Sequence, residues 1–293
     1  MAMIRENESD LNMALLNQLG VDQDTLLGRG GEAYVYALDE DRVARIYHPG
    51  ANPTTVEERA ALLRELNRSA HHVPFAIPAV IETLTLEDRI VTVERRLPGR
   101  PLNEVLADAQ GSTRTKLIHA YLDAAARIGD LQSARPWFGD LMGGGSIRTA
   151  TFHDYLAQRA ARSLSAAGEE FAQVDPQALA AALPEPSAGA LVHLDAFPGN
   201  MLSDGETVTA VVDFGVVAIV GDRRLDPLSA AAYLTPAITP TATDEDRRVA
   251  HAWLEERRLG DLFFPAQRWI AAFWSFAYDD EPLYAWCRSI LLG

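Results

Sequence analysis

Three side chains in one short stretch carry the chemistry this sequence can perform. Between Leu191 and Asp226 stands His193-x-Asp195-x-x-x-x-Asn200, and thirteen residues after the asparagine comes Asp213-Phe214-Gly215. Carboxylate and carboxamide oxygens are hard donors suited to magnesium, and a carboxylate beside a hydroxyl can orient it and accept its proton. Phosphoryl transfer requires this set of groups. Between Asn200 and Asp213, the segment Met201-Leu202, the turn Ser203-Asp204-Gly205 and the strand Val208 to Val212 read as a hairpin. A hairpin returns the chain close to where it left, so Asn200 and Asp213 converge on one cation. The reaction has no need of an imidazole at His193, whose expected job is to hold the loop by hydrogen bonding.

The elements that must position these groups read as α+β. Asp10 caps a helix that stops at Gly20, and strands follow at Leu26-Leu27 and Tyr34 to Leu38 around the cluster Gly28-Arg29-Gly30-Gly31. A third strand, Arg42 to Tyr47, puts Val43, Arg45 and Tyr47 on one face. Residues 54–68 are helical, with Leu62, Leu63 and Leu66 as the apolar stripe, and strands lie near Ala79 to Leu84 and Arg89 to Glu94. The segment LPGRPLNE (97–104) has the composition of a connection, and helical patterns dominate after it. A boundary near 97 thus separates a small strand-rich lobe, 1–96, from a larger helical lobe, 97–293. In the second lobe, 116–131, 151–164 and much of 266–292 read as helices, and 168–190 holds a short helix between loops. Asp226-Pro227 reads as N-cap and first helical residue. No strand is expected before Gly143-Gly144-Gly145, which reads as a flexible loop.

The order and spacing of the chemical residues match the kinase pattern H-R-D-x-x-x-x-N followed by D-F-G. The wording VHLDAFPGN and VVDFG resembles the catalytic and metal loops of the aminoglycoside phosphotransferases and their relatives within the protein-kinase-like fold. The resemblance runs from about residue 25 to the C-terminus and is most specific over 191–226. It implies a two-lobed fold, Asp195 as catalytic base or hydroxyl-positioning group, and Asn200 with Asp213 holding one or two Mg2+ ions. The family usually has Gly where this chain has Leu194. ATP or GTP is expected between the lobes, with Gly28, Gly30 and Gly31 at the place of the phosphate loop. The template's strand lysine cannot be present, since Lys116 is the only lysine and lies far off. Arg45 is the expected substitute, a guanidinium able to bridge phosphate and carboxylate, and Val43 lies over the adenine. Glu58 is the expected carboxylate partner, with Glu57 and Glu65 as alternatives. Val91 to Gly99 resembles the inter-lobe hinge, so backbone groups from Glu94 to Arg96 meet the adenine.

Composition narrows the partners. A formal net charge of −15 argues against nucleic acid and anionic membrane surfaces, and one cysteine, Cys287, forbids an intrachain disulfide or a cysteine-based zinc site. The N-terminal charges do not suit a signal peptide and no stretch reaches membrane-span length, so a cytoplasmic protein is expected, with no obligate protein partner in view. After Gly215 the run VVAIVGDRRLD has no Ser, Thr or Tyr and no A-P-E follows, so a phosphorylated activation loop is missing and a small-molecule hydroxyl acceptor is favoured. Residues from 97 on include 25 acidic and 16 basic ones, and Asp279-Asp280-Glu281 stand beside Tyr278 and Trp274. These suit a neutral or cationic acceptor. An aminoglycoside-like or other antibiotic leads; a sugar, amino sugar or amino alcohol is the alternative. An inactive nucleotide-binding module would be expected to lack Asp195, Asn200 or Asp213.

Overall fold

Helix α1, described over 15–19, closes where the sequence places its stop: the Val21 N–H donates to Leu16 O at 2.9 Å as the chain turns through Gly20. The structure is a computed structural model that describes residues 15–133 and 135–293, so the Asp10 cap lies outside the described residues. Contacts divide the chain into two compact units, one made of residues up to Asn67 with Ile77–Leu97, the other of Arg68–Ala76 with Pro98–Gly293. The nine residues from Arg68 to Ala76 therefore depart from a single cut near 97. Backbone pairing explains it: Ala76 donates to Thr209 O at 2.8 Å and accepts from Val211 N at 3.0 Å, while Gln132 N donates to Ser69 Oγ.

The first unit is an antiparallel sheet of β1 (Leu26–Arg29), β2 (Ala33–Ala37), β3 (Arg42–Tyr47), β4 (Val80–Leu86) and β5 (Arg89–Arg95), in the order β1-β2-β3-β5-β4, with helix α2 (Pro53–Asn67). Strand β3 is buried from Val43 to Tyr47 because both faces are covered. Ala44 and Ile46 pack with Leu15, Leu16, Tyr36 and Val91, whereas Tyr47 packs with Ala33 and Val56 of α2. Alternation along the strand sends Arg45 to the α2 side with Tyr47.

That side also holds a buried ion pair. Arg59 of α2 donates to both oxygens of Glu94, at 2.6 and 3.4 Å, and Thr92 Oγ1 donates to Glu94 Oε1 at 2.8 Å. Burial alone pushes the Glu94 carboxyl up; Arg59, with Arg45 and Thr92 assisting, outweighs it and leaves the group below the usual carboxylate range.

In the second unit β6 (Arg100–Pro101) leads into α3 (Leu102–Asp108) and α4 (Gly111–Arg127), followed by β7 (Phe138–Asp140), β8 (Arg148–Thr149), α5 (Phe152–Ala167) and α6 (Pro176–Ala181). Then come β9 (Ala190–Val192), β10 (Met201–Ser203), β11 (Val208–Val211), β12 (Ile219–Gly221), α7 (Leu225–Ala232), α8 (Asp244–Glu256), α9 (Gly260–Trp274) and α10 (Glu281–Leu292). Two small sheets, β11-β10-β6 and β8-β7-β12-β9, are set among the helices. The chain crosses from the second sheet to the first through residues 193–200 and returns through 212–218. Among the described residues no helix is long and apolar enough to cross a membrane.

Two expectations, on the glycine run and on Asp226, are corrected. A strand, β7, does precede the glycine run, and it needs Gly139: φ is +138° and a Cβ there would lie 2.0 Å from Ile147 O. Gly99, in the connection, has φ of +109° and a Cβ would meet Thr209 Oγ1 at 2.6 Å, close to where that hydroxyl donates to Pro98 O. Helix α7 begins at Leu225 with Arg224 in the capping position, so Asp226 is not its N-cap. Residues 266–292 form parts of two helices separated by a turn, within which Asp280 caps α10 by accepting from Leu283 N.

Replacing Arg59 by Met should leave Glu94 as an uncompensated buried charge and cost about 3–5 kcal/mol in urea denaturation. Adding Glu94→Gln should recover part of that loss. A single variant as stable as the parent would show that the pair contributes nothing.

Candidate active site

Asp195 is placed by a loop whose buried polar groups are nearly all bonded. Strand β9 delivers the chain to His193, which is fully buried, and the ring bridges two loops: Asp195 N donates to Nδ1 at 3.2 Å, while Nε2 lies 2.9 Å from Val212 O. With Nδ1 accepting, Nε2 carries the proton and donates, so the imidazole is neutral. Burial agrees, holding its pKa below the ordinary value. The ring also packs on Phe214, with centroids 4.6 Å apart. The expected structural role of His193 is the one observed.

Leu194, at the position where the resembling family has Gly, adopts φ of +62°. A left-handed conformation costs a leucine about 1–2 kcal/mol, so its surroundings must enforce it. They do so from both sides of the peptide. The N–H groups of His193 and Leu194 donate to the carboxylate of Asp226, three contacts of 2.9 to 3.1 Å, and Tyr233 OH donates to Leu194 O. Tyr121 OH lies 2.9 Å from Ala196 O and 3.1 Å from Ala230 O, its single proton shared between the two carbonyls. Both tyrosines are buried and their pKa values are raised, by burial first; Tyr233 and then Asp195 add to the rise at Tyr121, and Asp195 adds to that at Tyr233.

Asn200 ends the loop in the turn Pro198–Asn200 and serves two neighbours at once. Its Nδ2 donates to Asp195 O at 2.9 Å and to Asp195 Oδ2 at 3.0 Å, which fixes the direction of the carboxylate. Its backbone carbonyl accepts from Val212 N at 2.9 Å, so Asp213 is the next residue along from a strand bonded to Asn200. The hairpin β10–β11 forms as the sequence predicts, with Met201 opposite Val211. Asp213 also has a positive φ, +62°.

With Nδ2 occupied, Asn200 offers an amide oxygen, and Asp213 offers a carboxylate; hard oxygen donors of this kind fit magnesium. Among the described residues no group of three or more His, Cys, Asp or Glu forms a metal cage. Two protein ligands suit an ion that keeps waters and shares substrate phosphates.

In the first unit, Gly30 N donates to Ala33 O at 2.9 Å in the β1–β2 turn, and at Gly28 and Gly31 no atom of the chain lies within 4 Å of a built Cβ. Arg45 is 9% exposed, pairs with Glu32 at 3.6 Å and lies over the Tyr47 ring at 5.6 Å. Glu58 is exposed on α2; the inward residue of that turn is Arg59. Val43 is buried opposite Glu94 in the β3–β5 register. The N–H groups of Arg95 and Arg96 already donate to Ala79 O and Asp41 O. Asp279 and Asp280, between α9 and α10, and Glu281, the first residue of α10, are exposed. Sequence reasoning missed Tyr121 and Tyr233 as supports of the loop, because buried hydroxyls on helices carry no motif, and it gave Asp226 a structural role at the wrong place, as a helix cap.

Asp226 makes a test of this arrangement. Burial raises its carboxyl to about 7, against the lowering effect of the His193 and Leu194 N–H groups. A carboxyl raised in the folded state binds more protons there than in the unfolded chain, so stability should fall as pH rises from about 4 towards 7, at up to about 1.4 kcal/mol per pH unit. Asp226→Asn should flatten that slope in urea melts collected across the window; an unchanged profile would exclude this titration.

Comparison with known proteins places these features. A model of the phosphotransferase enzyme family matches residues 25–263. No curated relative matches the sequence. Among solved structures, the gentamicin complex of APH(2")-IIa aligns with a TM-score of 0.60 at 16% identity, covering 97% of this chain and 95% of that one. The streptomycin-ATP ternary complex of the same protein gives the same values, and the GDP and kanamycin complex of APH(2")-IIia gives 0.57 at 14% identity, with 90% of each chain covered. The fold is thus kinase-like and α+β, and with most of its length matched, the chain belongs to the phosphotransferase enzyme family.

Proposed function

We propose that the chain moves the γ-phosphate of ATP, or of GTP, to a hydroxyl of a small molecule, with Asp195 as the group that meets that hydroxyl. The observation carrying this reading is the fixed carboxylate: Asn200 Nδ2 holds Asp195 Oδ2 at 3.0 Å, and the loop beneath is tied down by Asp226, Tyr233, Tyr121 and His193. A carboxylate so held orients the hydroxyl and receives its proton as the oxygen attacks phosphorus. Preorganisation of this kind removes reorientation from the barrier. Magnesium, when bound by Asn200 and Asp213, neutralises phosphate charge. Residues 1–96 supply the nucleotide contacts and residues 97–293 the catalytic and acceptor contacts in this reading.

For the nucleotide, the reading assigns Gly28, Gly30 and Gly31 to the phosphates, since no chain atom fills the space beside Gly28 and Gly31. Arg45 supplies the cation, Val43 the adenine contact and Glu58 a carboxylate for Arg45. The segment from Glu94 to Arg96 meets the adenine through its carbonyls, because the N–H groups of Arg95 and Arg96 are engaged. Structural neighbours carrying ATP or GDP support nucleotide use. Neighbours carrying gentamicin, kanamycin and streptomycin support a hydroxyl-rich acceptor, an aminoglycoside-like antibiotic or a sugar, amino sugar or amino alcohol of metabolism. Asp279, Asp280 and Glu281 are assigned to any ammonium groups that acceptor carries.

The experiment is a panel of such acceptors assayed for acceptor-dependent ATP or GTP consumption. Asp195→Asn should lower kcat by about 100-fold or more while the Mg-ATP-induced rise in melting temperature persists, whereas Asp213→Asn should reduce that rise as well. Near-parental turnover in Asp195→Asn would remove the central assignment. Arg45→Ala should raise the KM for ATP, and Arg45→Lys should restore only part of the loss because an ammonium lacks the guanidinium fork. Unchanged ATP kinetics in both would show that another cation serves the phosphates.

A further inference from the structure

The turn between β1 and β2 is narrow: Arg29 stands opposite Tyr34 and Gly30 N donates to Ala33 O at 2.9 Å, which leaves Gly31 and Glu32 at the tip. His48, the residue after β3, reaches this turn twice. Its backbone N–H donates to Glu32 O at 2.9 Å, continuing the β2–β3 ladder past the Ala33 and Tyr47 pair, and its ring Nε2 lies 3.0 Å from Gly30 O. A carbonyl only accepts, so Nε2 carries a proton and donates. The ring stands edge-on to Tyr34 of β2, with centroids 4.8 Å apart and planes at 87°. One residue thus fixes two carbonyls of the turn, the first with its side chain and the second with its backbone.

The side-chain bond orients a peptide as well as an oxygen. A trans peptide is planar, so the C=O of Gly30 and the N–H of Gly31 point in opposite directions. With Gly30 O turned to His48, the Gly31 N–H is turned away from it. At Gly31 no atom of the chain lies within 4 Å of a built Cβ, which leaves room for a bulky anion beside the tip. Glu32, also at the tip, pairs with Arg45 at 3.6 Å, so the cation assigned to the phosphates stands next to the turn. Strand β3 therefore brings Arg45 to the turn from within its length and His48 from just past its end. Backbone N–H groups of a glycine turn are well suited to cradle an anion, provided that they face it.

Resting on the nucleotide reading above, we infer that His48 is a positioning residue for ATP or GTP, holding the Gly30–Gly31 peptide with its N–H towards the phosphates and its carbonyl away from them. It acts through the backbone. Neither glycine has a Cβ to oppose rotation of the peptide between them, so without the clip both orientations are populated, and in one of them a carbonyl dipole faces the anion. A competent orientation populated only part of the time raises the apparent Kd in proportion.

Titration calorimetry of the full chain with Mg-ATP and with adenosine tests this. His48→Phe keeps a ring against Tyr34 and loses the donor; it should weaken Mg-ATP by about three- to tenfold and leave adenosine, which has no phosphate, unchanged. His48→Asn, whose amide is too short to reach Gly30 O, should do the same. His48→Gln, whose amide nitrogen can stand near the place of Nε2, should recover part of the loss. A merely structural role for His48 would instead loosen the sheet and weaken both ligands alike. Circular dichroism and melting temperature show which variants fold, and His48→Asn carries the comparison if His48→Phe does not. Unchanged Mg-ATP affinity in a folded loss variant, or equal losses for Mg-ATP and adenosine, would overturn the inference. A parent chain that binds neither ligand fails the nucleotide reading and the clip with it, whereas a parent that binds Mg-ATP with no loss in the variants fails the clip alone.

Discussion

The Asp195 carboxylate stands partly exposed on a loop whose neighbouring residues are buried, and that constraint organises the larger unit. Every buried N–H and C=O of such a loop needs a partner, and strands cannot supply them where the chain turns. Here the partners are side chains from elsewhere in the unit: Asp226 for the amides of His193 and Leu194, Tyr233 for the carbonyl of Leu194, Tyr121 for that of Ala196. The bonds also hold Leu194 at a positive φ, a conformation a leucine would leave if released. Asp226 bears the cost, a carboxyl kept from water and raised to about 7. Without these ties, Asn200 would have no fixed Asp195 to grip.

The smaller unit solves a related electrostatic problem with a different ordering of charges. In the family resembled, a strand lysine meets a helix glutamate; this chain has no lysine in the region, and its buried pair runs the other way, with the cation on helix α2 and the anion on strand β5. Arg45 adds its field to Glu94 and pairs with Glu32. Two guanidiniums therefore share the neighbourhood of one buried carboxylate. Arginine suits both places, since its charge persists on burial and its planar fork can serve two acceptors.

Much of this was legible in the sequence, for identifiable reasons. Strands β2, β3 and β5 and helix α2 follow from alternation and the 3.6-residue stripe, and Arg45 was placed on its face by the same alternation. Asn200 and Asp213 were joined by a hairpin whose turn residues announce it. What escaped depends on contacts between distant residues. Arg68–Ala76 reads as a loop and only pairing with β11 assigns it to the larger unit. Glu58, read on the edge of the buried face of α2, is exposed, and the inward charge of that turn is Arg59, one residue on, whose partner Glu94 lies on a strand far along the chain. Asp226, next to a proline at a helix start, looks like a cap; its partners are 32 and 33 residues away.

The distant contacts also explain why the loop and the end of α9 belong to one arrangement. A phenolic hydroxyl has one proton and accepting lone pairs, and Tyr233 uses both functions: it gives its proton to Leu194 O and takes one from the Trp274 indole. Tyr233 is fully buried, so no water can replace either partner without a rearrangement of the core. The position of Trp274 is therefore set by the same hydroxyl that holds the peptide beside Asp195. Trp274 is thus referenced to the Asp195 loop through two hydrogen bonds and a rigid phenol, a stiffer connection than the exposed turn carrying Asp279 and Asp280 provides. Exposed carboxylates can raise the local concentration of a cation, but they fix no orientation. The geometry around Asp195 is set by the buried chain, in which Tyr233 ties the loop to the end of α9.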